Sequence, residues 1–138
     1  MDLKLELVLL PVADVDRAKD FYIGRLGWGE IVDWQRDEEF RVVQANPPGS
    51  ECAIGFGIGL GVVAEPGIFR GLHLVVTDIV AACDDLASRG VEVGPMRHML
   101  DDGWHDGPHP ERRDYNTFAE FSDPDGNTWL LQERGYTG

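Results

Sequence analysis

The chain has 138 residues, 43% of them hydrophobic, enough for one domain, or two small fused halves, around a packed core. Its 25 acidic residues outnumber 12 basic ones, for a formal charge of −13. That field repels phosphate backbones and anionic lipid, so neither nucleic acid nor a membrane is expected as a partner. The opening run MDLKLELVLLPV has no basic stretch ahead of a long apolar one, and no segment reaches membrane-spanning length. A cytoplasmic location is therefore expected. Cys52 and Cys83 stand far apart, without metal-type spacing, and read as small buried hydrophobes.

In chain order, Leu3 to Val12 is apolar and β-branched enough for a strand, with Pro11 near its end. Asp14 offers an N-cap, and Val15, Ala18, Phe21 and Tyr22 follow at helical spacing. Gly24 and Gly27 mark the helix stop and the turn beyond it. Trp28 to Trp34 and Glu39 to Ala45 read as strands joined through Arg36-Asp37-Glu38. Pro47-Pro48-Gly49-Ser50 is a loop, and Cys52 to Gly59 a fourth strand weakened by glycines. The glycine-rich stretch from Gly61 reads as a linker, closing a first module at residues 1–60 and spanning 61–70.

The pattern then restarts over residues 71–138. Leu72 to Val76 is a strand, Asp78 a cap, and Ile79, Ala82, Cys83, Leu86 and Ala87 form a helical stripe that Gly90 ends. Val91 to Met99 reads as a strand, followed by a long polar loop from Leu100 to about Arg113. Tyr115 to Ser122 and Asn127 to Gln132 make a closing hairpin. Its turn, Asp123-Pro124-Asp125-Gly126-Asn127, carries the Asp-Gly signal of a type I′ turn. VLLPVADVDRAKDFY and LHLVVTDIVAACDDL are variants of one theme, so the chain is an internal repeat of two βαβββ units.

Two such units, the strand-Asp-helix openings and the closing DPDGN turn resemble the vicinal oxygen chelate superfamily. That group includes glyoxalase I, extradiol dioxygenases and the bleomycin-resistance binding proteins. The resemblance covers nearly the whole chain and implies an α+β fold of two curved mixed sheets around a cleft, commonly in a homodimer. The superfamily's metal enzymes place a His seven residues before each capping Asp and a Glu three residues after the turn Asn. Those positions hold Leu7, Gly71 and Leu130, none of which can coordinate a cation. A fourth ligand would fall on the strand Cys52 to Gly59, whose nearest acid is Glu51. Shifted registers offer Glu6, His73 or Glu133, of which only His73 keeps the parity of the position it would replace. No metal and no cofactor are expected.

His73 reads either as a proton acceptor or hydrogen-bonding group on the cleft floor, or as a histidine satisfied within its sheet. In the 100–113 loop, Trp104 is expected to pack on protein or ligand, since a bare indole in water is unfavourable. Arg112 and Arg113 are candidates for a ligand carboxylate, or for pairing with Glu111 and Asp114. Tyr115 and Phe56 complete the candidate ligand-binding set, with His73 and Tyr115 as candidate catalytic groups. Trp28, Trp34 and Trp129 read as core or dimer-interface residues, and His98, His105 and His109 match no regular ligand spacing. Two functions follow: a metal-free protein binding a small organic ligand in the cleft, or a lyase, isomerase or dioxygenase on a small oxygenated substrate, with atypical or no metal ligands.

Overall fold

Each aspartate read as a helix cap does cap a helix. In the computed structural model, which describes residues 1–138, Asp14 Oδ1 accepts a hydrogen bond from the Arg17 N–H at 3.0 Å. It opens α1 (Val15–Lys19), which runs on as a π-type turn over Asp20–Arg25. Asp78 Oδ1 accepts from the Ala81 N–H at 3.1 Å and opens α2 (Ile79–Ser88). Both caps sit in extended backbone and satisfy an amide that the first helical turn leaves unpaired.

The fold is α+β, with two curved, unclosed mixed sheets. The chain divides into a first unit of Met1–Phe69 with Asp123–Asn127, and a second of Arg70–Ser122 with Thr128–Gly138. The first unit holds β1 (Leu7–Leu9), β2 (Gly29–Asp37), β3 (Phe40–Asn46) and β4 (Ala53–Ile58), in the order β1-β4-β3-β2. β1 runs parallel to β4 and the other pairs are antiparallel. The second unit holds β5 (Leu72–Val76), β6 (Arg97–Leu100), β7 (Gly103–Asp106), β8 (Phe118–Ser122) and β9 (Thr128–Glu133), in the order β5-β9-β8-β6-β7. β5 is parallel to β9, so the second sheet repeats the first with one strand added.

Strand alternation gives each sheet one buried face. In the first unit Val43, Ala45, Ile54 and Phe56 form the core with Ala18, Phe21 and Tyr22 of the helical segment. The Tyr22 ring lies 5.8 Å from Phe56 and 5.2 Å from Trp28. In the second unit α2 lies against β8 and β9, and Ala119, Phe121, Trp129, Leu131 and Ile79 are buried. The expected α2 stripe is graded: Ile79 is buried, Ala82, Cys83 and Leu86 are half-buried, and Ala87 is exposed.

Several expected boundaries move, each for a local reason. The first strand is confined to Leu7–Leu9, with residues 1–6 exposed. Val91 to Met99 is not one strand: Val93 makes a lone bridge to Phe121 before Gly94-Pro95, and pairing resumes only at Arg97. The polar loop begins later than its composition indicates. Gly103–Asp106 folds back on β6 in the register Arg97↔Asp106 to Leu100↔Gly103, because Asp101-Asp102 supplies the turn. Polar residues alternating across two faces concealed this strand.

The DPDGN turn is not a type I′ turn. Of its residues only Gly126 has positive φ, at 100°. Its organiser is the buried Asp123 carboxylate. Oδ1 accepts from the amides of Asp125, Gly126 and Asn127, each at 2.9 Å. Oδ2 accepts from the Tyr22 hydroxyl at 2.8 Å and from Asn127 Nδ2 at 2.9 Å. Asn127 Nδ2 also donates to the Pro11 carbonyl at 2.9 Å, and the Ala13 amide donates to Asp125 Oδ1 at 3.0 Å. A side chain on Gly67 would run into the Asp125 carbonyl oxygen, so glycine is required there. Asp123→Ala leaves a buried hydroxyl, a side-chain amide and turn amides unsatisfied, and should lower stability by about 3 kcal/mol in urea unfolding.

Candidate functional site

The faces not covered by helices are where a ligand can reach side chains. In the second unit strand register sets that face out in rows: His73, Leu130 and Glu120 in one, Val75, Gln132 and Phe118 in the next. Arg97 continues the second row on β6, and Met99 pairs with Trp104 beyond it. His73 is exposed and Trp104 is 52% exposed. The Trp104 ring meets Phe118 edge-on at 5.7 Å, and the Arg97 guanidinium lies 4.7 Å from the Trp104 centroid. Arg97 Nη2 also lies 3.7 Å from Glu120 Oε1. An electron-rich indole beside a guanidinium suits a flat ligand with acceptor oxygens.

The open face in the first unit is more apolar. Leu7 and Leu9 of β1 lie over Gly55 of β4, with the Leu9 side chain 3.0 Å from where a Gly55 Cβ would stand. Val42 and Gln44 share this face, as does Trp34, opposite Val42. Trp34 is 52% exposed and meets Phe40 edge-on at 5.7 Å.

The structure does not gather the candidate residues into one place. His73 and Trp104 share the open face of the second unit. Phe56 is fully buried beneath the helix of the first unit. Arg112 is bound to Glu133 through Nε at 2.8 Å and Nη2 at 2.6 Å, and stacks 3.6 Å over Tyr136. Its partner is thus Glu133, with Asp78 at 3.4 Å, while Arg113 pairs with Glu111 at 3.3 Å. Tyr115 has φ 60° and is half exposed, 5.6 Å from the Arg134 guanidinium. Trp28 and Trp129 are buried core residues.

Glu133 belongs to the framework of α2. Its side chain is fully buried, and Oε2 also accepts from the Ile79 N–H at 2.9 Å at the start of that helix. Burial pushes its carboxyl up, but Arg112 and the Ile79 amide outweigh this and hold it below its ordinary value of 4.5.

The residues present do not fit the metal of the enzymes this chain resembles. Leu7 and Leu130 lie on open faces without a ligating atom, and Gly71 has no side chain. Glu6 is exposed, and Glu133 is engaged by Arg112. No group of three or more His, Cys, Asp or Glu is arranged to hold a metal ion. His98 of β6, His105 of β7 and His109 do meet, at 5.6 Å from His98 to His105 and to His109. The His98 and His105 rings are only 22° from parallel, so their in-plane lone pairs run side by side instead of converging. His98 Nδ1 is hydrogen-bonded to the Gly107 carbonyl at 2.7 Å, and His109 Nδ1 accepts from the Glu111 N–H at 3.0 Å. The cluster is structural.

The sequence reading missed Arg97, Phe118, Glu120 and Gln132 as open-face residues. The alternation of Phe118, Glu120 and Ser122 with buried Ala119 and Phe121 was the available signal.

Residues 4–131 match the family model of the Glyoxalase/Bleomycin resistance protein/Dioxygenase superfamily. The chain belongs to this superfamily. A glyoxalase/bleomycin resistance protein from Streptomyces sp. CB03234 has a solved structure at TM-score 0.70 and 32% identity, covering 94% of this chain and 100% of that one. TnmS3, described as an antibiotic binding protein from the same strain, matches at TM-score 0.72 and 31% identity over 96% of both chains. The uncharacterized protein YetH of Bacillus subtilis (strain 168) is 25% identical over 126 residues, 91% of this chain and 94% of its own.

Arg112→Met should leave Glu133 buried without its cation and reduce stability at pH 7 by about 3 kcal/mol. In the parent, the depressed carboxyl contributes stability above 4.5 that is lost as pH falls through its folded value. In the variant the unpaired carboxyl is raised, so stability falls as pH rises. The gap between the two proteins should therefore narrow on acidification, which urea unfolding at pH 7, 5 and 4 checks.

Proposed function

We propose that this superfamily member is a metal-independent binding protein for a small organic ligand. The ligand would lie on the open face of the second unit. The observation that carries this reading is the set of side chains on the open face of the second unit. Leu130 stands where a metal-binding Glu is expected, and beside it lie exposed His73 and, in the next rows, the Trp104, Phe118 and Arg97 cluster. That face can stack on and hydrogen-bond a ligand, but it cannot hold a cation by the family's ligand pattern. The likeness to TnmS3, a described antibiotic binding protein, supports a binding role. Homodimerisation, common in the superfamily, is part of the proposal.

Bleomycin and a panel of aromatic and peptide antibiotics, titrated calorimetrically into EDTA-treated, tag-free protein, test this reading. At least one is expected to bind at micromolar Kd or tighter. His73→Ala should weaken that binding by about tenfold, equivalent to roughly 1.4 kcal/mol, with thermal stability unchanged. Stoichiometric Zn, Ni, Mn or Fe in the purified protein, or binding that appears only when a metal is added, would overturn it.

A further inference from the structure

One asparagine holds the β6–β7 hairpin off the chain that returns to β8. β6 pairs with β8 only at Arg97↔Phe118. Beyond that point the Asn116 side chain replaces backbone pairing. Its Oδ1 accepts from the Met99 N–H at 2.8 Å, and its Nδ2 donates to the Met99 carbonyl at 2.7 Å. A side chain spanning the gap keeps the two backbones farther apart than a strand ladder would. Beside it a cavity of about 550 Å³ opens between residues 99–102 of the hairpin and the 109–116 segment.

This cavity has a fixed histidine in its wall. His109 is 4% exposed, its amide donates to Thr117 Oγ1 at 3.0 Å, and its Nδ1 accepts from the Glu111 N–H at 3.0 Å. With Nδ1 accepting, the neutral imidazole carries its proton on Nε2, and no protein group takes that proton. The buried side-chain atom left without a partner is Asp125 Oδ2, so Nε2 of His109 is not sealed in, and the cavity is the space this ring lines. A nitrogen that bears a proton has no lone pair for a metal, but it is a ready donor to an oxygen. The ring meets His98 on the side of β6 opposite Arg97, so this wall is separate from the open face around Trp104.

Charge around the cavity is of both signs. Asp101 lines it with no cation of its own, whereas Asp102 is held by His105 at 2.6 Å. Arg113 pairs with Glu111 at 3.3 Å, but these side chains are 68% and 70% exposed, where such a pair contributes little and leaves other guanidinium donors free. Met99 and Leu100 supply an apolar stretch of wall. We propose that this cavity is a second binding site, for a small zwitterion with an apolar side group, the chemistry of a free hydrophobic amino acid. The carboxylate takes the His109 Nε2–H and Arg113, the ammonium takes Asp101, and the side group lies against Met99 and Leu100. The site is complete within the second unit and uses none of the open-face residues of the binding reading above.

L-leucine is the probe, titrated into the full chain by calorimetry and by nitrogen-15 NMR of the histidine side chains. Isovalerate, which lacks the ammonium, and isoamylamine, which lacks the carboxylate, are the controls. Leucine is expected to bind one site per chain in the millimolar range, to shift the His109 Nε2–H signal, and to bind at least about fivefold more tightly than either control. Asp101→Asn should weaken leucine and isoamylamine by about fivefold and leave isovalerate unchanged, while Arg113→Gln should weaken leucine and isovalerate and leave isoamylamine unchanged. Both substituted residues are exposed, so each variant should keep the parent's thermal stability. No saturable leucine binding, or an affinity that neither substitution changes, overturns the site. Isovalerate binding as tightly as leucine overturns the zwitterion. Leucine that shifts His73 and leaves His109 unmoved belongs to the open face and overturns the second site. Failure of the antibiotic panel to bind leaves this result untouched, since the two sites share no residue.

Discussion

The Asp123 carboxylate is the contact on which the closing turn depends. It is almost completely buried and takes five hydrogen bonds, three from the turn's own amides and one each from Tyr22 and Asn127. A carboxylate so supplied with donors replaces the water it lost, which a buried charge requires. Tyr22 in turn touches Phe21, Trp28 and Phe56, so the aromatic core of the first unit and the turn share one hydroxyl. The last strand, β9, begins immediately after this turn, and its register with β5 sets which residues reach the open face.

Much of this was legible in the sequence because the governing interactions are local. Asp14 and Asp78 cap through amides three residues away, a distance visible in the primary structure. The repeat and β5 at Leu72–Val76 were equally readable from the apolar pattern, and the position of Leu130 from the count of three residues past Asn127 that the family resemblance supplied. The turn was recognised for the wrong reason. Asp-Gly indicated positive φ at both positions, whereas the turn is organised by the Asp123 carboxylate, one of whose donors, the Tyr22 hydroxyl, lies far back in the chain. β7 was missed because a strand of Gly, Trp, His and Asp has no apolar periodicity, and only pairing with β6 creates it.

The site was less legible than the fold for the same reason. Arg112 was read as pairing with a ligand carboxylate or with Glu111 and Asp114; it does pair within the chain, but with Glu133 from the last strand, and it stacks on Tyr136 from the tail. Phe56 looked like a lining residue and is a core residue, because β4 turns that side toward the helix. Trp34, read as core or dimer interface, is not a core residue: it stands half exposed on the open face. Which face a strand residue takes follows from parity, but which face the helix covers is a tertiary fact. His73 and Trp104 share a face only once β5, β9, β8, β6 and β7 are placed in order.

The row formed by His73, Leu130 and Glu120 separates chemistry from folding. An imidazole and a carboxylate already flank the aliphatic residue, on neighbouring strands and on one side of the sheet. A lineage that acquired a carboxylate or imidazole at Leu130 would gain a contiguous line of three potential donors without rebuilding the backbone. Conversely, loss of coordinating chemistry at such a position leaves the pairing register and the buried face untouched. The chemistry of the open row can therefore change while the buried side of the same strands keeps its packing.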